Sequence, residues 1–151
     1  MNRFFHEKAL SIAQQAALLQ AEWPSLRVLR QREALEAKGT LQPTPISAEY
    51  TVSITYRFGG APKAYVHDPP LARRSEAPGD PVPHVYPWRD GTEGHPCLYR
   101  PWSNEWNAGK PISRTIVPWL LTWLANYEVW RATGKWLGGG AHQTRTKADY
   151  S

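Results

Sequence analysis

Five apolar positions near the start of the chain, Phe5, Ile12, Ala16, Leu19 and Trp23, recur at helical spacing. They predict an amphipathic helix over about residues 3–22, stopped by Pro24. The period then changes. Tyr50, Val52, Ile54, Tyr56 and Phe58 alternate with Thr51, Ser53, Thr55 and Arg57, which is the pattern of a strand with one buried face. Gly59-Gly60 reads as a turn into a second strand over 63–67, making a hairpin. The earlier segments 26–30 and 34–41 read as strands joined by a short turn, so four antiparallel strands are predicted.

Between 68 and 111 the periodicity collapses. Nine of the fourteen prolines and four of the eleven glycines fall there, and a loop of this length inside a compact domain tends to be functional. It also carries Tyr86, Trp88, Tyr99, Trp102 and Trp106. Aromatics are depleted in disordered segments, so a long but packed loop is expected. After it, Ile116, Trp119, Leu120, Trp123, Leu124, Tyr127 and Trp130 trace one face of a second helix. Thr115 is placed as its N-cap, Pro118 falls in the first turn where its missing N–H costs nothing, and Gly134 ends it. The tryptophans on or beside that face read as core. A glycine run, Gly138 to Gly140, leads to His142 and a polar tail, so one domain over 1–143 with a tail over 144–151 is expected.

Composition narrows the classes. At 151 residues, 41% hydrophobic and 21% charged, the chain has room for one core and no sign of wholesale disorder. The first residues lack the apolar core and cleavage site of a signal peptide, and no apolar run approaches the ~20 residues of a membrane span. The net charge of +5 is spread over Arg27, Arg30, Arg32, Arg73, Arg74, Arg145 and Lys147. Without a compact basic run it reads as a solvated surface rather than a nucleic-acid face.

The single cysteine, Cys97, can form no internal disulfide and cannot anchor a structural zinc site alone, which fits a reducing, cytoplasmic setting. It lies in HPCLYRPW, between Pro96 and Pro101 and beside Tyr99, Arg100 and Trp102. A lone cysteine is more often inert and buried than catalytic, whereas its place on a proline-rich loop points the other way. Spacing alone leaves both readings open.

The order of elements and several local runs resemble the ubiquitin-conjugating enzymes, an α+β fold with an N-terminal helix, a four-stranded antiparallel meander, a long active-site loop and a C-terminal helix. YTVSITYRFGGAPKAYVHDPPL is similar to that family's central hairpin and the Pro-Pro that opens its loop. HVYPWRDGTEGHPCLY resembles the segment in which a histidine precedes the cysteine by a dozen or so residues, and EWNAGKPISRTIVPWLLTWL the stretch leading into the next helix. The nearer resemblance, over about 26–142, is to a prokaryotic branch encoded in anti-phage operons of the cyclic-oligonucleotide (CBASS) type, beside a cGAS-like nucleotidyltransferase.

That resemblance implies a thioester carrier. Cys97 would accept a protein C-terminus, that of the nucleotidyltransferase, and pass it to an amine, with thiolate as a nucleophile reactive near neutral pH. The transfer itself would need no cofactor. ATP would be spent by a separate activating enzyme, since this chain has no Gly-rich phosphate loop. His84 matches the histidine of the family's His-Pro-Asn motif and would brace the loop as a hydrogen-bond partner. His95 or Arg100 would favour the thiolate electrostatically if turned inward. The motif's asparagine is missing, Val85 and Tyr86 following His84, so oxyanion help would fall to backbone N–H groups or the Tyr86 hydroxyl. The carrier reading also requires a thiol open to solvent at the rim of the sheet. Competing readings are a catalytically dead binding scaffold, a cysteine hydrolase using Cys97 with His84, His95 or His142, a nucleic-acid-binding module, and a zinc site of Cys97 and histidines. The kept cysteine argues against the scaffold, core-facing tryptophans against nucleic acid, and the ligand spacing against zinc.

Overall fold

A computed structural model describes residues 8–86, 94–100 and 103–138. Helix α1 (Ile12–Glu22) is followed by strands β1 (Leu26–Arg30), β2 (Ala34–Leu41), β3 (Tyr50–Arg57) and β4 (Lys63–Asp68). A long connection then leads through a 3-10 turn (Ile112–Arg114) to helix α2 (Ile116–Thr133). The strands form one antiparallel meander in the order β1-β2-β3-β4.

The pairing register explains why one face of the sheet is core. Leu35 lies opposite Tyr56, Ala37 opposite Ile54 and Leu41 opposite Tyr50, while Val52 and Ile54 face Val66 and Ala64. All of these are buried. Period-2 alternation delivers every one of them to the same side, where α1 and α2 add Leu19, Ile116, Leu120 and Leu124. Phe58 departs from the expected pattern. Strand β3 ends at Arg57, the Phe58 N–H bonds the Glu33 carbonyl at 2.8 Å, and the ring is 48% exposed. Beyond the last strand pair no sheet remains to bury it.

Helix α1 is shorter than its apolar spacing suggests. Ser11 Oγ accepts from Gln14 N–H at 3.1 Å, and Gln14 Oε1 accepts from Ser11 N–H at 2.9 Å. This reciprocal capping box starts the helix at Ile12, and residues 8–11 are not helical. Phe5 lies outside the described residues. The helix then grips the segment before α2. Buried Gln15 donates to the Lys110 carbonyl at 3.0 Å and accepts from Ile112 N–H at 2.9 Å, and the Trp23 indole donates to the Ser113 carbonyl.

Helix α2 begins after Thr115, but the Thr115 hydroxyl does not cap it. It accepts from the Trp106 indole at 3.1 Å and donates to the Pro111 carbonyl at 2.7 Å, leaving no side-chain cap. At the other end Gly134 takes φ +80, and its N–H bonds the Trp130 carbonyl at 2.7 Å. A Cβ there would lie 2.6 Å from Arg74 Nη1, the movable end of that side chain, so it is the backbone sign that calls for glycine. The connection is packed where it is described. Val82 and Trp106 join the core, and the Tyr127 hydroxyl accepts from Ala72 N–H at 2.8 Å, pinning the chain to α2.

Candidate functional site

Two short extended pieces of the connection hold the cysteine. Val85 bridges Pro96, Tyr86 N–H donates to the His95 carbonyl at 2.8 Å, and Cys97 N–H donates to the His84 carbonyl at 2.8 Å. The Val66 N–H bonds the Gly94 carbonyl at 2.8 Å and ties this pair to β4. His84 sits at φ +55, a left-handed conformation that L-residues seldom take. Its carbonyl accepts from both Cys97 N–H and the Trp123 indole N–H, the latter at 3.0 Å. One carbonyl therefore joins the cysteine backbone to α2. The bracing expected of the His84 ring runs through its main chain, and the ring itself packs on Trp136 with centroids 4.9 Å apart.

Cys97 lines a cavity of about 440 Å³. Helix α2 supplies Trp119, Thr122, Trp123 and Asn126 to its wall, at i, i+3, i+4 and i+7 and hence on one face. The loop supplies His84 and Leu98, and the segment after α2 supplies Trp136 and Gly138. Trp119, expected in the core, is only half-buried because it lines this space.

The requirement of an open thiol needs correction. Cys97 is only 2% exposed, although the strand pair that carries it is tied to the edge strand β4. Its Sγ lies 3.8 Å from the Tyr99 carbonyl as a weak S–H donor. Yet the residue forms part of the cavity wall, beside Trp119, Trp123 and Trp136.

His95 occupies a different place. Its ring lies between Tyr65 and Tyr86, 4.7 Å from each centroid, and it does not line the cavity. Burial, and secondarily the nearby Lys63 charge, pushes its pKa down to about 4. At neutral pH the imidazole is uncharged, so the expected electrostatic help to a thiolate is absent from this residue. Arg100 is also missing from the cavity wall, and its buried Nε has no hydrogen-bond partner among the described residues. The Tyr86 hydroxyl donates to the Tyr99 carbonyl at 3.4 Å, the same oxygen that Cys97 Sγ approaches, and Tyr86 does not line the cavity. Tyr99 in turn donates to the Pro62 carbonyl at 3.1 Å, and burial raises its pKa to about 12. His142, together with residues 87–93, lies outside the described residues. Asn126, Thr122 and Trp136 were missed by the linear reading. The available signal was two polar residues interrupting an otherwise aromatic helix face.

A helix, an antiparallel four-stranded meander, a cysteine-bearing extended segment and a following helix define the ubiquitin-conjugating-enzyme-like α+β fold. Within that class the chain belongs to the Type II CBASS E2 proteins, whose family model matches residues 15–143. The match begins inside α1, earlier than the resemblance noted from 26 onward. No curated protein matches the chain. Membership makes this a transferase that works as a ubiquitin-conjugating-like thioester carrier in CBASS, in association with a CBASS signalling enzyme. Among the described residues no helix is long and apolar enough to cross a membrane.

Proposed function

We propose that Cys97 is the sulfur on which the acyl group is carried, and that the cargo is the C-terminal carboxyl of a cGAS-like nucleotidyltransferase. The observation that carries this reading is the chain's one cysteine set into the wall of a roomy aromatic cavity by a hydrogen-bonded loop. The thiolate attacks the activated carboxyl carbon and the activating group leaves with its bonding pair, forming a thioester; an amine then bonds that carbon, the C–S pair returns to sulfur, and a proton is lost from nitrogen to leave an amide. His84 is a positioning residue whose carbonyl holds the Cys97 amide against α2. His95 contributes neutral aromatic packing that fixes the strand pair leading to the cysteine. Activation of the carboxyl, with its ATP, belongs to a separate enzyme, and the modified targets tune antiviral signalling.

Co-expression with the neighbouring operon proteins, read on non-reducing gels and by mass spectrometry, tests the reading. The expected adduct disappears with thiol reductant, is absent in Cys97→Ala, and persists as a reductant-resistant ester in Cys97→Ser. An adduct unchanged in Cys97→Ala refutes it. One observation favours a second reading, a cysteine hydrolase: His84 and Cys97 share the same cavity. Turnover of a fluorogenic ester, lost in both Cys97→Ala and His84→Ala, would support that alternative over a carrier.

A further inference from the structure

One backbone oxygen joins the cysteine to a second side chain. The Tyr99 carbonyl accepts from Cys97 Sγ at 3.8 Å and from the Tyr86 hydroxyl at 3.4 Å. This small cluster is held from several sides. The Tyr99 hydroxyl donates to the Pro62 carbonyl at 3.1 Å. The Tyr86 N–H donates to the His95 carbonyl at 2.8 Å, and the Tyr86 ring packs on the His95 ring with centroids 4.7 Å apart. Cys97 is fixed by its own N–H on the His84 carbonyl. Tyr86 does not line the cavity; it is joined to the sulfur through the shared acceptor.

A shared acceptor couples its two donors. A carbonyl that accepts an S–H bond stabilises the thiol, and its lone pairs oppose the negative charge that forms on ionisation. A hydroxyl proton on the same oxygen draws on those lone pairs and lessens both effects. The surroundings add little that would mask this. The wall that α2 presents, Trp119, Thr122, Trp123 and Asn126, carries no charge, and among the described residues the other titratable side chain of the cavity is His84. His95, packed behind Tyr86, is held neutral by burial and then by Lys63. The Tyr99 hydroxyl stays protonated, its pKa raised to about 12 by burial and then by the Cys97 charge.

We propose that Tyr86 is a positioning residue for Cys97: by donating to the Tyr99 carbonyl it weakens the hold of that oxygen on the sulfur's proton. On ionisation the S–H bond breaks, the proton passes to solvent and the electron pair stays on sulfur, which then has no bond to make with the carbonyl. The role belongs to acyl transfer through the reading of Cys97 as the acyl carrier.

The test uses the full chain and follows alkylation by iodoacetamide from about pH 6 to about pH 10, across the ordinary thiol range, because only the thiolate reacts. Tyr86→Phe keeps the ring and removes the hydroxyl. Its profile should move to higher pH, with alkylation on the rising limb slowed about 2–5-fold, the lower part of the range for one neutral hydrogen bond, and the high-pH plateau unchanged. The α-hydroxy analogue of Arg100 turns the Tyr99–Arg100 amide into an ester, whose carbonyl is a weaker acceptor, and should move the profile to lower pH. Opposite shifts cannot come from a loosened loop, which would change the rate by one factor at every pH. A uniform change of that kind, an unmoved profile in Tyr86→Phe, or shifts of the same sign in both variants overturns the proposal. Uptake of acetyl-Gly-Gly from its thiophenyl thioester, read by intact mass, is followed in parallel. Opposite profile shifts in a protein that takes up no acyl group support the role of Tyr86 and refute the carrier reading.

Discussion

Replacing Trp123 by phenylalanine removes one hydrogen-bond donor from the place where α2 meets the cysteine loop. The indole is 5% exposed and donates to the His84 carbonyl at 3.0 Å. That carbonyl keeps its second bond, from Cys97 N–H at 2.8 Å, so no buried acceptor is orphaned and the loss is that of one net hydrogen bond, about 0.5–1.5 kcal/mol. The smaller ring also leaves roughly 40 Å³ unfilled, which at about 24 cal/mol per Å³ adds about 1 kcal/mol. Stacking on Tyr127, with centroids 5.6 Å apart and planes 9° from parallel, is largely kept by a phenyl ring. Trp123→Phe should therefore lower stability by about 2 kcal/mol, measured by urea titration, and lower Tm by roughly 4–8 °C. Because His84 and Cys97 lose their tether to α2, iodoacetamide should also alkylate Cys97 faster in native buffer. A variant within about 0.5 kcal/mol of wild type and alkylated at the same rate would show that the indole N–H does not hold the loop, a loss too small to register against the usual scatter of surface changes.

Gln15→Leu keeps size but strands the Ile112 N–H and the Lys110 carbonyl; at about 1–3 kcal/mol for each unsatisfied buried group, denaturant titration should show a loss of about 2–6 kcal/mol, and an unchanged midpoint would rule out this clamp. Gly39→Ala puts a Cβ 1.9 Å from the Ser25 carbonyl oxygen, a backbone clash expected to cost at least about 2 kcal/mol and to be read as a fallen Tm or lost soluble yield. The folded protein holds His95 neutral down to about pH 4, against an unperturbed value of 6.5, and burial lowers His67 in the same direction. Between those values the unfolded chain binds more protons, so stability is full above pH 6.5 and declines as pH falls toward 4. His95→Phe should flatten that slope in denaturant midpoints collected across the range, and an unaltered slope would assign it to other groups.

Much of the architecture follows from local pattern. The alternation in 50–57 sends Tyr50, Val52, Ile54 and Tyr56 to one side of β3 whatever the neighbours are, because side chains on a strand reverse direction at every residue. The face of α2 was legible from its spacing for the same reason, and Gly134 marked its end through backbone sign alone. Even the true start of α1 was written locally, in the Ser11 to Gln14 capping box, although the apolar spacing running back to Phe5 obscured it.

The linear order of residues singled out the sulfur, and the fold determined its surroundings. Asn126 and Trp136 share a cavity wall with Cys97 only because α2 packs against a loop held by a left-handed His84. His95 is uncharged because β4 brings Tyr65 and Lys63 to it, though its neighbours in sequence placed it beside the thiol. Periodicity is a property of adjacent residues and survives in the one-dimensional string. Burial, desolvation and a shared cavity wall are properties of distant segments brought together, and they exist only once the chain has closed around them.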